Sequence, residues 1–335
     1  MSTDEQCGRD ETTEGHGLIP YGPVPSRRLG RSMGINNIPP KICTYSCAYC
    51  QVGRTLKKHI DRQPYYDPDL ILREVERKME KIVLIGEAVD YLTFVPDGEP
   101  TLDANLGREI DLLRSIGIKI GVITNASLLW REDVVEELSR ADWVSVKIDS
   151  VMEDSWKKIN RPHAKLRFTS IMDGLAGFAR SYDGELATET MMVKGINDDA
   201  DSANTLSEFL ARIQPSRAYL SIPTRPPAEA WVRLPAEADV NRVFQIVSGK
   251  LDRAELLTGY EGNAFVQTGD VKTDLLAVTA VHPMREEAVR DFLAGAHTDW
   301  RMIDDLIHDG LIAETEYEGR RFYMRRFPET GCTQD

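Results

Sequence analysis

Three cysteines, Cys43, Cys47 and Cys50, fall within eight residues of one another and are the residues most clearly suited to chemistry. Thiolates are soft ligands, so three of them this close together indicate a metal site. A structural zinc ion takes four ligands, and the nearest further candidate is His59. Three thiolates instead suit a four-iron, four-sulfur (4Fe–4S) cluster with one iron open to an outside ligand. The spacing favours the cluster, with zinc as the alternative.

The segment Cys43-Thr-Tyr-Ser-Cys47-Ala-Tyr-Cys50 resembles the cluster motif of the radical S-adenosylmethionine (SAM) superfamily, and the resemblance extends over residues 20–225. It implies that the three cysteines hold a 4Fe–4S cluster, that the methionine part of SAM binds the open iron, and that Tyr49 packs near the adenine. It also implies reductive cleavage of SAM to a 5′-deoxyadenosyl radical that abstracts hydrogen from a substrate. A flavodoxin or ferredoxin is the implied electron donor.

A second motif, Asp97-Gly98-Glu99-Pro100, follows the apolar run 91–95. Taken alone, these residue types are typical of a β-turn. In a chain that carries the cysteine motif, the segment resembles the Gly-Gly-Glu segment of the superfamily, although Asp97 replaces the first glycine. The resemblance implies that Asp97, Gly98 and Glu99 hold the ammonium group of SAM.

Further candidates follow the predicted strands, because parallel α/β folds bind ligands at the carboxyl ends of their strands. Lys147 interrupts an apolar strand, so we expect it either to pair with the SAM carboxylate or Asp149, or to reach solvent. Asn125 or Asp149 is expected to bind the ribose hydroxyls. The SAM-binding candidates chosen by position are Asn125, Lys147, Asp149, Met192 and Ser221.

Two arginines stand beside prolines, Arg161 before Pro162 and Arg225 before Pro226. Guanidinium groups bind carboxylate and phosphate in a bidentate manner, so both arginines are candidates for substrate binding, with a surface loop as the alternative. Every candidate residue lies at or before Arg225. We therefore expect the region after Gly269 to be dispensable for SAM cleavage and to dock a substrate or partner.

Apolar runs that alternate with amphipathic segments predict an α/β fold with about six β/α units over about 200 residues. This is a partial (β/α)6 TIM-like barrel, with a doubly wound sheet as the alternative. After Gly269, short helices and a hairpin with its turn at Glu318-Gly319 predict a winged helix. The predicted organisation is a disordered tail (1–17), the barrel (18–230), a connecting helical segment (231–269), a winged-helix-like domain (270–328) and a tail (329–335).

The net charge and the remaining cysteines restrict which partners and how many clusters we expect. The net charge is −13 for the whole chain and −4 for residues 270–327, which disfavours a nucleic-acid partner. The rival hypothesis is a zinc- or cluster-containing winged-helix regulator that binds DNA, and the acidic charge of residues 270–327 counts against it. The segments 22–30, 34–40 and 224–227 resemble the branch grouped with the wyosine (tRNA-modifying) synthases, but Cys7 and Cys332 are too few for a second cluster. A small-molecule, protein or RNA substrate stays open.

The N-terminal segment is acidic, and no apolar run approaches about 18 residues. Neither a signal peptide nor a membrane span is therefore predicted. The clustered cysteines are also unlike a disulfide framework. We expect a cytoplasmic protein without a membrane partner.

Overall fold

The computed structural model describes residues 19–55, 57–259, 265 and 269–326. Within this range, eight strands form one sheet in sequence order. The strands are β1 (Pro20–Ser26), β2 (Gly30–Ile35), β3 (Tyr91–Phe94), β4 (Lys119–Thr124), β5 (Trp143–Lys147), β6 (Glu185–Met191), β7 (Arg217–Ser221) and β8 (Ala254–Leu257). β1 is antiparallel to β2, and the remaining neighbours are parallel.

Helices connect the successive parallel strands. They are α1 (Pro68–Leu84), α2 (Leu106–Leu113), α3 (Glu132–Leu138), α4 (Glu153–Asn160), α5 (Phe168–Ser181), α6 (Ala200–Ile213) and α7 (Glu237–Ser248). α1 begins as predicted, because the Asp67 side chain accepts a hydrogen bond from the Asp69 amide and Pro68 occupies the first helical position. The α/β fold and the partial barrel are thus confirmed.

Three elements of the barrel were not predicted. β1 contains three prolines, which its position at the edge of the sheet tolerates because an edge strand can leave amide positions unpaired. α4 was missed because it is short and polar. β8 lies in the segment 231–269, for which the sequence predicted only a helical connection, and it pairs with β7. That segment therefore extends the sheet.

The C-terminal module, residues 270–326, contains α8 (Val271–Val281), β9 (Met284–Arg285), α9 (Glu286–Gly295), α10 (Arg301–His308), β10 (Ile312–Tyr317) and β11 (Arg320–Arg325). The strands form an antiparallel sheet in the order β10-β11-β9. The hairpin turn falls at Glu318 and Gly319 as predicted, with both residues at positive φ. The assignment as a winged helix stays a prediction. The predicted tails, with Cys7 and Cys332, lie outside the described residues.

The module packs against the barrel. Ala277, Ala280 and Val281 of α8 form an apolar cluster with Tyr21 of β1. Lys78 of α1 and Asp274 of α8 form a buried ion pair at 2.7 Å. The Tyr317 hydroxyl donates to the Pro223 carbonyl at 3.1 Å. The module is thereby fixed against β1, α1 and the segment after β7. In the described part of the chain, no helix combines the length and apolarity that crossing a membrane requires.

Candidate functional site

A cavity of about 340 Å³ lies at the carboxyl ends of the parallel strands, and Cys43, Cys47 and Cys50 all line it. Most of the other candidates from the sequence line the same cavity. These are Tyr49, Asp97, Gly98, Glu99, Asn125, Lys147, Ser221 and Arg225. The candidates Asp149, Met192 and Arg161 do not line this cavity. The segment around β8 also contributes, since Leu257 lines the cavity.

The three cysteines are free thiols. Burial raises the pKa of Cys47 to about 12 and that of Cys43 well above its usual value, and repulsion between the neighbouring cysteines adds to both shifts. Asn125 Nδ2 lies 3.6 Å from the Cys43 sulfur and Asn160 Nδ2 lies 3.5 Å from the Cys47 sulfur, so two amides donate to the thiols. Burial thus disfavours the thiolates, and a bound cation would favour them by replacing the protons.

The arrangement of the thiols bears on which metal group they suit. Among the described residues, no three His, Cys, Asp or Glu side chains converge closely enough to ligate a single metal ion. A zinc ion needs such convergence because all its ligands bind one atom. In a 4Fe–4S cluster each thiolate binds a different iron, so the sulfurs stand further apart. Cys43, Cys47 and Cys50 all line the one cavity, as the ligands of such a cluster would.

The cysteine loop is held from α4 and from the segment after β7. Ala48 donates its amide to Ile159 at 2.7 Å. Arg161 donates from Nε to the Ser46 carbonyl at 2.6 Å and from Nη1 to Glu229 at 2.5 Å. Arg161, expected to bind substrate, does not line the cavity, and its side chain fastens the cysteine loop.

Gly98 is required by a close approach of two backbone segments. A Cβ at Gly98 would stand 2.1 Å from the Ile42 carbonyl oxygen, and the two residues form a parallel bridge immediately before Cys43. The glycine thus positions the cysteine loop, a role that the motif alone did not indicate.

Asp97 and Glu99 differ in how their carboxylates are bound. Glu99 accepts hydrogen bonds from the Thr101 amide and hydroxyl, from the Thr124 hydroxyl at 2.6 Å and from the Asn125 amide at 2.7 Å. The carboxylate oxygens of Glu99 are therefore occupied by donors from the protein itself. Burial raises the pKa of Glu99.

The Asp97 carboxylate is only 5% exposed. Its Oδ2 lies 3.5 Å from Lys41 Nζ and has no hydrogen-bond partner within the described ranges. Burial raises the pKa of Asp97 to about 6 despite Lys41. A buried acceptor without a hydrogen bond is costly, so Asp97 is suited to receive the cationic group of a ligand.

Asp149 and Met192 lie behind the cavity wall. Asp149 accepts hydrogen bonds from the Tyr49 hydroxyl at 2.6 Å, from Asn160 at 2.5 Å and from the Met191 amide at 2.9 Å. It thereby orients Tyr49, and Tyr49 reaches the cavity. Met191 lines the cavity and Met192 is buried in the core, because consecutive side chains of an extended segment point to opposite faces.

A charged cluster that the sequence analysis only partly identified forms another part of the wall. Glu189 of β6 binds Lys147 Nζ at 2.6 Å and also pairs with Arg28, while Ser221 donates to it at 3.3 Å. Burial alone would raise the pKa of Glu189, but Arg28 and Lys147 outweigh it and lower the value to about 2. Lys147 thus pairs with Glu189, which neither expectation for this lysine included. The sequence feature that could have identified this cluster is Glu189, an acidic residue within a mostly buried strand.

The C-terminal module reaches the cavity as well. Val281 and His282, at the end of α8, line it together with Gln51 and Arg225. Gln51 donates from Nε2 to the Val281 carbonyl at 2.7 Å and accepts from Arg225 at 3.1 Å. Residues after Arg225 thus line the cavity too, beside the candidates chosen from the sequence. The contact between Gln51 and Val281 joins residues more than 200 positions apart, so no local sequence pattern could predict it.

Comparisons with known proteins place the chain in a family. The radical SAM superfamily matches residues 37–206. UPF0026 protein MJ1312 of Methanocaldococcus jannaschii is 44% identical over 310 residues, which are 92% of this chain and 96% of that protein.

Solved structures show the same fold at low sequence identity. TYW1 with a lysine-pyruvate adduct bound has a TM-score of 0.52 and 16% identity, covering 66% of this chain and 74% of that chain. SuiB of Streptococcus suis bound to S-adenosylmethionine has a TM-score of 0.50 and 13% identity, covering 67% and 49%. The chain belongs to the radical SAM superfamily, whose enzymes use a 4Fe–4S cluster and SAM.

Proposed function

We propose that this protein is an enzyme that holds one 4Fe–4S cluster on Cys43, Cys47 and Cys50 and uses it to cleave SAM reductively. The observation that carries this proposal is the convergence of three free thiols and the buried carboxylate of Asp97 on one cavity. The thiols supply ligands for three irons, and the carboxylate supplies an acceptor for the ammonium group of SAM.

When bound, the cluster supplies one electron that breaks the bond between the sulfur and C5′ of SAM, giving methionine and a 5′-deoxyadenosyl radical that takes a hydrogen atom from the substrate. The side chains of the protein would position the cluster and SAM. Asn125 and Asn160 donate to the cysteine sulfurs, which favours the thiolates that the irons require. Tyr49, held by Asp149, provides an aromatic face for the adenine.

Glu99 acts through its neighbours in this proposal. It fixes Thr124 and the Asn125 amide, and Asn125 in turn donates to Thr44 at 2.8 Å and to Cys43. Asp97 is then the carboxylate that contacts the SAM ammonium group, supported by the Gly98 backbone. Ser221 and Lys147 lie on the opposite part of the wall, where they hold Glu189.

Arg28, Lys147 and Arg225 line the cavity beside Glu189, and the substrate is proposed to bind against this charged part of the wall. A cytoplasmic flavodoxin or ferredoxin is the proposed electron donor. Arg161 is not part of this substrate site, since it binds Ser46 and Glu229.

Anaerobic purification followed by SAM turnover tests the proposal. We expect brown protein with broad absorption near about 400 nm and about four irons per chain. With dithionite, the protein should release 5′-deoxyadenosine and methionine in equal amounts. Colourless protein that contains zinc, does not cleave SAM and binds DNA would contradict the proposal and favour the regulator.

A further inference from the structure

Glu229, in the segment after β7, holds the cysteine loop through both its backbone and its side chain. The residue is buried, and its amide donates to the Ala48 carbonyl at 3.0 Å. Ala48 lies between Cys47 and Cys50 in the sequence. The charge of Glu229 is therefore placed directly beside the segment that carries two of the three proposed cluster ligands.

Two arginines share the Glu229 carboxylate. Arg54, which follows the last cysteine of the loop, binds it in a bidentate manner, with Nε 2.6 Å from Oε1 and Nη2 2.8 Å from Oε2. Arg161 donates from Nη1 to Oε1 at 2.5 Å, while its Nε donates to the Ser46 carbonyl. Hydrogen bonds from the two arginines lower the pKa of Glu229, so the carboxylate is ionised at neutral pH.

Arg54, Arg161 and Glu229, here called the ion triad, do not form a neutral group. Over the residues that the structure describes, Glu229 is the single carboxylate within ion-pair distance of either arginine. Two guanidinium groups and one carboxylate leave the triad with a net positive charge. Net charge near an iron–sulfur cluster is one of the factors that set its reduction potential. A positive charge favours the reduced state, because reduction adds a negative charge to the cluster.

We propose that the ion triad positions the cysteine loop, and that its net positive charge favours the reduced state of the cluster bound there. This inference rests on the proposed function and extends it, because it names residues that control how readily the cluster takes up its electron. Removing Glu229 and removing Arg54 change the charge of the triad in opposite directions. A purely structural role predicts the same direction for both, since either change breaks the same ion pair.

The test is a redox titration of anaerobic, cluster-loaded protein without SAM, followed by electron paramagnetic resonance. Each variant is examined at the midpoint potential of the wild type. Glu229→Gln should raise the ratio of reduced to oxidised cluster about tenfold, which corresponds to about 59 mV for one electron. Arg54→Gln should lower the ratio about threefold, a smaller effect because the Arg54 side chain is 63% exposed and solvent screens its charge. Arg54→Lys keeps the charge and should retain the wild-type ratio.

Glu208→Gln is the matched control, because Glu208 pairs with Lys250 on the protein surface and neither residue lines the cavity. Its ratio should equal that of the wild type. If Glu229→Gln retains no cluster, Arg54→Gln and Arg54→Lys decide the outcome, since both keep the pair of Glu229 with Arg161.

The inference is overturned if Arg54→Gln gives the wild-type ratio, or if Arg54→Gln and Glu229→Gln shift it in the same direction. The wild type separates the two proposals. A wild-type 4Fe–4S cluster that cleaves SAM, with either of those results in the variants, removes only this inference. A wild-type protein that holds no such cluster removes the proposed function as well.

Discussion

The two sides of the cavity are drawn from different parts of the chain. The cysteine side consists of Cys43, Cys47, Cys50, Glu99 and Asn125, all of which lie within the segment 37–206 that matches the superfamily. Its polar groups are held mainly by protein hydrogen bonds, as the four bonds to Glu99 show.

The cationic side consists of Arg28, Lys147, Glu189, Arg225 and His282. Arg28, Arg225 and His282 lie outside the matching segment, before or after it in sequence. The matching segment thus contains the residues proposed for cluster and SAM chemistry, and the flanking regions supply Arg28, Arg225 and His282 of the opposite side. We therefore expect substrate choice to depend on the cationic side and SAM cleavage to depend on the cysteine side.

The largest effect is expected at the cysteines. Replacing Cys43, Cys47 or Cys50 by alanine should abolish SAM cleavage and remove most of the iron, because each thiolate is needed for one iron. Cys7→Ala and Cys332→Ala are the matched controls and should keep the iron content of the wild type. Iron and sulfide analysis decides the outcome, and a tail cysteine as necessary as the others would disprove a single cluster with these three ligands.

Gly98→Ala should also remove the cluster, although it touches no thiol. The new Cβ would meet the Ile42 carbonyl at 2.1 Å, so the backbone before Cys43 must move. Gly177→Ala provides the control, since the nearest contact of a Cβ there is 3.9 Å away. Normal iron retention in Gly98→Ala would show that the bridge between Ile42 and Gly98 does not position the loop.

Glu189→Gln should lower the free energy of unfolding by about 3 kcal/mol, because it leaves two partly buried cations without their shared carboxylate. Denaturant unfolding of the metal-free protein measures this change. Glu255→Gln is a matched control, since its ion pair with Arg217 on neighbouring strands is exposed and contributes little. Equal stability of the two variants would contradict a buried charged cluster on the cationic side.

Asp97→Asn should weaken SAM binding by about 1.5–3 kcal/mol, the range for a hydrogen bond to a charged group. Since the pKa of Asp97 is about 6, the carboxylate is protonated below that pH. Wild-type SAM affinity should therefore fall as the pH decreases through about 6, and the variant should lack this dependence. Equilibrium dialysis measures both. A pH profile that is identical in wild type and variant would exclude Asp97 from SAM binding.

Glu99→Gln is a less suitable variant for measuring SAM contact. The carboxylate accepts four hydrogen bonds, and the amide of glutamine would turn a donor toward donors. Lower SAM affinity in that variant could result from displacement of Thr124 and Asn125 or from loss of a direct contact with SAM. The measurement would not distinguish the two causes. Asp97 therefore gives the clearer measurement.

The sequence predicted the cysteine side well because its motifs are local. Cys43, Cys47, Cys50 and the Asp97–Glu99 segment need only short spacings to be recognised. Met192 shows the limit of such reasoning. Its neighbour Met191 lines the cavity, whereas Met192 lies in the core, so an error of one residue at a strand end selects the wrong side chain. Arg161 shows another, because its partners Ser46 and Glu229 lie far from it in the sequence.

The cationic side was harder to predict because tertiary packing assembles it. Glu189 was detectable as an acid within a buried strand, but its partners Arg28 and Lys147 come from distant segments. His282 reaches the cavity only because α8 packs on β1 and hydrogen-bonds Gln51. No pattern within the C-terminal module indicated that contact.

The central claim is that the three cysteines leave one iron open and that SAM binds there beside Asp97. Electron paramagnetic resonance of the reduced, cluster-loaded protein tests it most directly, with SAM labelled by ¹⁵N at its amino group. The account predicts a changed cluster spectrum on addition of SAM and a hyperfine coupling to the label. An identical spectrum with and without SAM, from protein with a full complement of iron, would contradict it.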